Sequence, residues 1–219
     1  MENWGGFLTV LDRIVASPPP FYKTKNADGV TIGQPIGVPL YLILDLISNT
    51  SAAYTLFTDQ DFNSKLKVLL NAWGEYLKTA PSAGTLNKEG WFSEQGLALL
   101  EAGLGGKTFA ETYKSDDAHW QDPYKFDSWD SFFTRHFKDK SLRPIQDVSE
   151  GRIFINNACE STVLRTATNI QVHDTFWLKE QDYSIYDMLG GKADGSLADE
   201  YAKKFKGGSV YQAFLGPQD

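Results

Sequence analysis

Apolar positions divide the chain into two textures. From Pro39 onward, Leu40, Leu44, Ile47, Ser51 and Tyr54 recur at steps of four and three, which predicts a helix with one inward face. A second helix is expected from about Asp61, where Phe62, Leu66, Leu69, Leu70, Trp73, Tyr76 and Leu77 trace an apolar stripe that excludes Lys65, Lys67 and Glu75. "SEQGLALLEAGLGG" supplies Ser93 as an N-cap, Leu97 and Leu100 on one face, and Gly105-Gly106 as a stop. "SWDSFFTRHFK" offers Ser128 as an N-cap, with Trp129, Phe132, Phe133, His136 and Phe137 expected inward. After Arg143-Pro144 the texture changes to short runs rich in Ile, Val, Thr, Phe and Tyr: "RIFIN", "STVLRTAT", "DTFWLK" and "GSVYQAFL" read as strands. Between the last two, "SLADEYAKKF" puts Leu197, Tyr201 and Phe205 on one helical face.

The fold class expected is therefore α+β, a mainly helical domain over residues 40–145 followed by a β-rich domain over 146–219. Residues 1–39 read as an N-terminal arm or loop, because 17–39 combine a proline run with Asn-Ala-Asp-Gly and alternating Gly and Pro. A chain of 219 residues can bury roughly 70% of its unfolded surface, enough for a sizeable core. Its 14 Phe, 10 Tyr and 6 Trp point to an aromatic-rich core or pocket.

Charge narrows the partners. The formal net charge is −7 and Lys and Arg are scattered, so neither nucleic acid nor an anionic lipid surface is an expected partner. The longest apolar stretch, "VPLYLILDLI", carries Asp45 and is far short of the ~20 residues of a membrane span. The first residues lack a basic segment and break their apolar run at Asp12 and Arg13, unlike a secretory signal, so a cytoplasmic, soluble protein is expected.

Most chemical motifs dissolve on inspection. Gly106-Lys107-Thr108 ends like a phosphate loop, but the pattern's first glycine would fall at Glu101 and the segment follows a helix rather than a strand. His119, His136 and His173 have no partner at metal-ligand spacing, and His136 reads as a half-buried neighbour of Phe132 and Phe133. Cys159 lies between Ala158 and the acidic Glu160, surroundings that oppose a reactive thiolate, so it reads as a small buried core residue. From composition alone, Glu160-Ser161-Thr162 is a polar turn.

Four stretches, taken in order and spacing, give Glu160 a second reading. "SWDSFFTRHFKDKSLRPI", "NNACEST", "FWLKEQDYSIYDMLGG" and "GGSVYQAFLGPQD" together resemble the phosphatidylserine decarboxylase family, in particular its fungal branch of aromatic-amino-acid decarboxylases. In the third stretch Lys179, Tyr183 and Ser184 are in register with the family, while Glu180 replaces a glycine; the helical part from about residue 34 also resembles that branch. The resemblance implies a pyruvoyl-dependent carboxy-lyase acting on a small-molecule amino acid, aromatic or other, or on a phosphatidylserine head group. Its cofactor is a pyruvoyl group made by self-cleavage at a Leu-Gly-Ser motif, where a substrate amine condenses.

The same resemblance assigns Glu160 the position of the carboxylate that orients a catalytic histidine. Neither Leu-Gly-Ser nor the family's Tyr-His-Arg-x-His occurs in the 219 residues. The expectation is accordingly an N-terminal portion with an incomplete catalytic domain, no cofactor formed within the chain and no activity alone. The rival expectation is a non-catalytic binding module derived from the family, with open sheet edges that a protein partner completes.

Overall fold

The computed structural model describes residues 4–216 apart from 49, 116–120, 145–156, 158, 173–175, 179–180 and 190–196. The chain divides into two compact units, one running through residue 158 and one from Cys159. The sequence predicts α+β, and the described elements are α+β, with helices predominating in the first unit.

The first unit opens with a helix, α1 (Trp4–Val15), and a hairpin of β1 (Phe21–Lys25) and β2 (Thr31–Pro35). The segment expected as an arm or loop thus folds back on itself, with Phe21 opposite Pro35 and Lys25 opposite Thr31. Asn26 closes the turn, its side-chain oxygen accepting from the backbone N–H groups of Asp28 and Val30. The proline segment before the hairpin is pinned from the far side. The Trp73 indole N–H donates to the Ser17 carbonyl at 3.1 Å, and the Pro19 carbonyl accepts from both Trp91 Nε1 and Thr85 Oγ1 at 2.9 Å.

The apolar run after Pro39 forms two helices rather than one, α2 (Pro39–Ser48) and α3 (Ser51–Thr58). Thr50 takes an extended backbone conformation and its side chain accepts from the Ala53 N–H, so the helical phase restarts there. Asp59 caps α4 (Gln60–Leu77) in the same way, through the N–H of Phe62. The predicted stripe on α4 faces inward at Phe62, Leu66, Leu69, Trp73, Tyr76 and Leu77, whereas Leu70 is exposed. A short 3-10 segment (Ala80–Thr85) then leads to α5 (Glu94–Glu101), capped by Ser93 as expected and followed by Gly105 and Gly106 at φ of +62° and +85°.

The Gly-Lys-Thr stretch belongs to the start of the next helical turn, α6 (Phe109–Thr112). Thr108 and Glu111 form a reciprocal capping box there, and the Glu101 carboxylate accepts from the Phe109 N–H at 2.7 Å. This is a helix boundary, as the acidic residue at position 101 requires.

The core of the first unit gathers Phe21, Trp91, Phe92, Leu100, Leu104, Phe109, Tyr113, Phe126, Trp129 and Phe132, all aromatic but the two leucines. Ring pairs such as Phe92 with Phe132 meet edge to face at 5.5 Å, the geometry that aromatic quadrupoles favour. Aromatic enrichment of the sequence is therefore spent on packing.

In the second unit, β3 (Thr162–Thr168) pairs antiparallel with β6 (Ser209–Phe214), and β4 (Phe176–Leu178) with β5 (Gln181–Tyr183). Two helices, α8 (Ile185–Met188) and α9 (Leu197–Phe205), lie between these strands in the chain. Ile170, Ile185 and Ala202 form the small core. The face predicted for α9 turns out differently: Tyr201 and Phe205 are exposed, and among the described side chains of α9 the fully buried one is Ala202. Its single methyl allows the close approach to Ile170 and Ile185 that a larger side chain would prevent. The expected strand "RIFIN" lies outside the described residues.

Candidate active-site segment

Two sequence stretches carry the candidate chemistry, and local structure explains each. The first is "SWDSFFTRHFKDKSLRPI". Ser128 accepts from the Ser131 N–H and Ser131 reciprocates, starting α7 (Trp129–Phe133). The fully buried Ser82 hydroxyl accepts from the Trp129 N–H at 2.8 Å, tying the new helix to the turn after α4. Trp129 and Phe132 enter the core as expected.

Phe133 and His136 do not enter it. Phe133 is 66% exposed and stacks against Trp129, while the His136 side chain lies at the surface. The helix ends at Phe133, so the inward phase is not carried on to His136. Instead the chain becomes extended and Tyr113 bridges Phe137. Backbone bonds from Lys114 N to His136 O and from Lys138 N to Thr112 O, each 2.9 Å, hold the two segments together.

Arg135 is the unexpected member of this stretch. Its guanidinium lies 4.4 Å from the ring centre of Tyr113, 5.1 Å from that of Phe132 and 5.7 Å from that of Phe109. One guanidinium nitrogen also donates to the Phe132 carbonyl at 3.3 Å. Burial lowers the arginine pKa from its ordinary value, and interaction with Tyr113 opposes that shift. Farther on, Arg143 packs over Phe137 at 5.0 Å. An arginine embedded in Phe-Phe-x-Arg-x-Phe was a visible signal for such a cage, although Tyr113 and Phe109 come from elsewhere in the sequence.

The second stretch is "NNACEST". Cys159 is exposed, which corrects its expected place in the core, and it is the chain's only cysteine. Glu160 and Ser161 are half-buried and stand immediately before β3. Across the ladder Thr162 faces Phe214, with an irregularity between Val163 and Arg165. Because the strands are antiparallel, the backbone leaving β6 after Phe214 departs from the sheet end at which Glu160 enters.

Of the other residues singled out, Ser184 is half-buried just before α8 and Tyr183 ends β5. His119, His173, Lys179 and Glu180 lie outside the described residues. Among the described residues no group of three or more His, Cys, Asp or Glu side chains is arranged to hold a metal ion. Likewise, no described helix is long and apolar enough to cross a membrane.

Comparison with known proteins decides the ancestry of this arrangement. Two profiles, both described as phosphatidylserine decarboxylase, match residues 1–100 and 129–219. The chain belongs to the phosphatidylserine decarboxylase family. Decarboxylase iboD of Amanita muscaria is 40% identical over 212 residues, covering 96% of this chain and 58% of that protein. The L-tryptophan decarboxylase of Psilocybe cyanescens is 32% identical over 189 residues, covering 82% of this chain and 41% of that protein. A bacterial phosphatidylserine decarboxylase proenzyme, from Vibrio campbellii, is 30% identical over 142 residues, covering 59% of this chain and 46% of that protein. Within the family the chain groups with the fungal branch, and it spans about half the length of these relatives.

Proposed function

We propose that these 219 residues form the N-terminal portion of a pyruvoyl-dependent carboxy-lyase whose substrate is an aromatic or other free amino acid, and that they are inactive alone. The reading is supported chiefly by the 40% identity to Decarboxylase iboD, which runs through 96% of this chain. The amino-acid preference draws on the name of the Psilocybe relative, L-tryptophan decarboxylase. In this reading Glu160 is the carboxylate that holds a histidine in the right tautomer and stabilises its charged form during self-cleavage.

The chain's own residues do not fit the pyruvoyl group. No Leu-Gly-Ser is present to generate it, and the one described histidine, His136, belongs to the first unit, as the division of the chain at residue 158 shows. No step through the group is therefore drawn from this chain. What supports a role for Glu160 is its position where β3 begins, at the sheet end from which the β6 backbone departs. A histidine contributed by residues following β6 would enter the fold at that end.

The test joins residues 1–219 to the remaining C-terminal part of Decarboxylase iboD. Self-cleavage of this fusion, read by intact mass, is expected, and Glu160→Gln should slow it by about two to four orders of magnitude. Cleavage at an unchanged rate in the variant would remove Glu160 from the reading. A second reading, a protein-binding module, draws on the exposure of Val163, Leu164, Tyr211, Phe214 and Leu215 on and beside the β3–β6 ladder. Addition of the iboD C-terminal part as a separate chain distinguishes the two. Association that yields CO₂ supports the enzyme, and association without chemistry supports the module.

A further inference from the structure

We propose that a cleft in the first unit, where residues 114–115 pass residues 131–136, binds a small oxyanion of the phosphate or carboxylate class. The cleft has a volume of about 370 Å³ and is lined by Lys114, Ser115, Phe126, Ser131, Thr134, Arg135 and His136. That volume falls within the ~300–1,000 Å³ typical of small-molecule sites. In a chain of formal charge −7, this wall brings together an ammonium, a guanidinium and an imidazole, and among the described residues no Asp or Glu side chain stands in it.

Backbone pairing brings two of these side chains to neighbouring positions. Lys114 and His136 are adjacent because the Lys114 N–H donates to the His136 carbonyl, next to the Tyr113–Phe137 bridge. The Arg135 guanidinium is held in the same wall against the rings of Phe109, Tyr113 and Phe132. The hydroxyls of Ser131 and Thr134 donate to the carbonyls of Ser128 and Asp130, at 2.9 and 2.8 Å, so they shape the wall rather than bind the anion. The donors that meet the ligand are Lys114 and His136, with Arg135 adding a fixed positive charge to the wall and Phe126 an apolar surface. An oxyanion attached to a small organic body matches this combination. The site uses only residues of the first unit and does not depend on Glu160 or on decarboxylation.

The experiment is an NMR titration of the labelled 219-residue chain with inorganic phosphate and, separately, with acetate, at ionic strength held constant by sodium chloride. The His136 ring signals, assigned with His136→Gln, should shift to saturation with at least one probe, and which probe saturates identifies the class. Lys114→Ala should weaken that binding by about five- to tenfold, with Lys114→Arg restoring most of it. Lys114 is exposed, so the variant keeps the fold, as a far-ultraviolet circular dichroism spectrum will verify. Linear drift with both probes, or affinity unchanged in Lys114→Ala, overturns the proposal.

Discussion

Arg135 stabilises the first unit through its flat faces as much as through its charge. Replacing it with Ala removes three ring contacts and opens a gap among Phe109, Tyr113 and Phe132. Urea unfolding should register a loss of about 2–4 kcal/mol for Arg135→Ala, with Arg135→Met recovering part of the packing. A change within experimental error would show that the rings close up without it. Ser82 is a smaller but cleaner case: Ser82→Ala leaves the Trp129 N–H without its acceptor and should cost about 1–3 kcal/mol in the same measurement.

Glu111 gives a pH prediction at the same scale. Hydrogen bonds from the Thr108 backbone N–H and hydroxyl hold its carboxyl below the ordinary pKa. The capping contribution is therefore fully present above the unfolded-state pKa and is lost as pH falls through the lower, folded value. Carbon-13 titration should place the Glu111 midpoint below that of free glutamate and move it upward in Thr108→Ala; no movement would contradict the assignment. The caps at Ser93 and Ser128 were legible because a cap joins a side chain to backbone three residues away. Orientation was less legible: α7 stops at Phe133, so the inward phase read from the spacing does not continue to His136, and Cys159, expected in the core, is exposed. Cys159 should accordingly react with a thiol reagent without denaturant, as its exposure implies.

At the scale of elements, long periodic stripes were read well and non-local pairing was not. The stripe on α4 survives because 18 residues of one phase outweigh a local irregularity. By contrast, the 40–54 run breaks where Thr50 accepts a cap bond, a choice that its apolar spacing conceals. The β1–β2 hairpin was hidden by Pro and Gly, whose composition signals loop while the pairing joins partners six to fourteen residues apart. Close packing at the start of α5 leaves no room for a side chain at position 96. A Cβ at Gly96 would collide with the backbone carbonyl of Trp91, which cannot swing aside as a side chain does. Gly96→Ala should therefore destabilise the first unit by about 1–3 kcal/mol despite alanine's better helix propensity, measured by denaturant unfolding. A stabilised variant would contradict this account of the α5 boundary.

For the whole molecule, the family was legible before the architecture, because motifs in order identify ancestry without specifying contacts. The Phe-Phe-Thr-Arg stretch illustrates the difference: its order marks the family, while the structure shows its Arg135 and Phe132 serving the aromatic core. Glu160 is the opposite case: it stands half-buried just before β3, and the role proposed for it comes from the family resemblance rather than from its surroundings. In the function proposed above, this chain carries the scaffold and the orienting carboxylate of a decarboxylase, while the residues that form the electron sink are not among its 219. The most direct test is CO₂ release by the purified 219-residue chain from carboxyl-labelled L-tryptophan and phosphatidylserine, with intact mass recorded in parallel. No release above the protein-free control and an uncleaved chain are expected; turnover of either substrate, or a self-cleaved product, would overturn the proposed function.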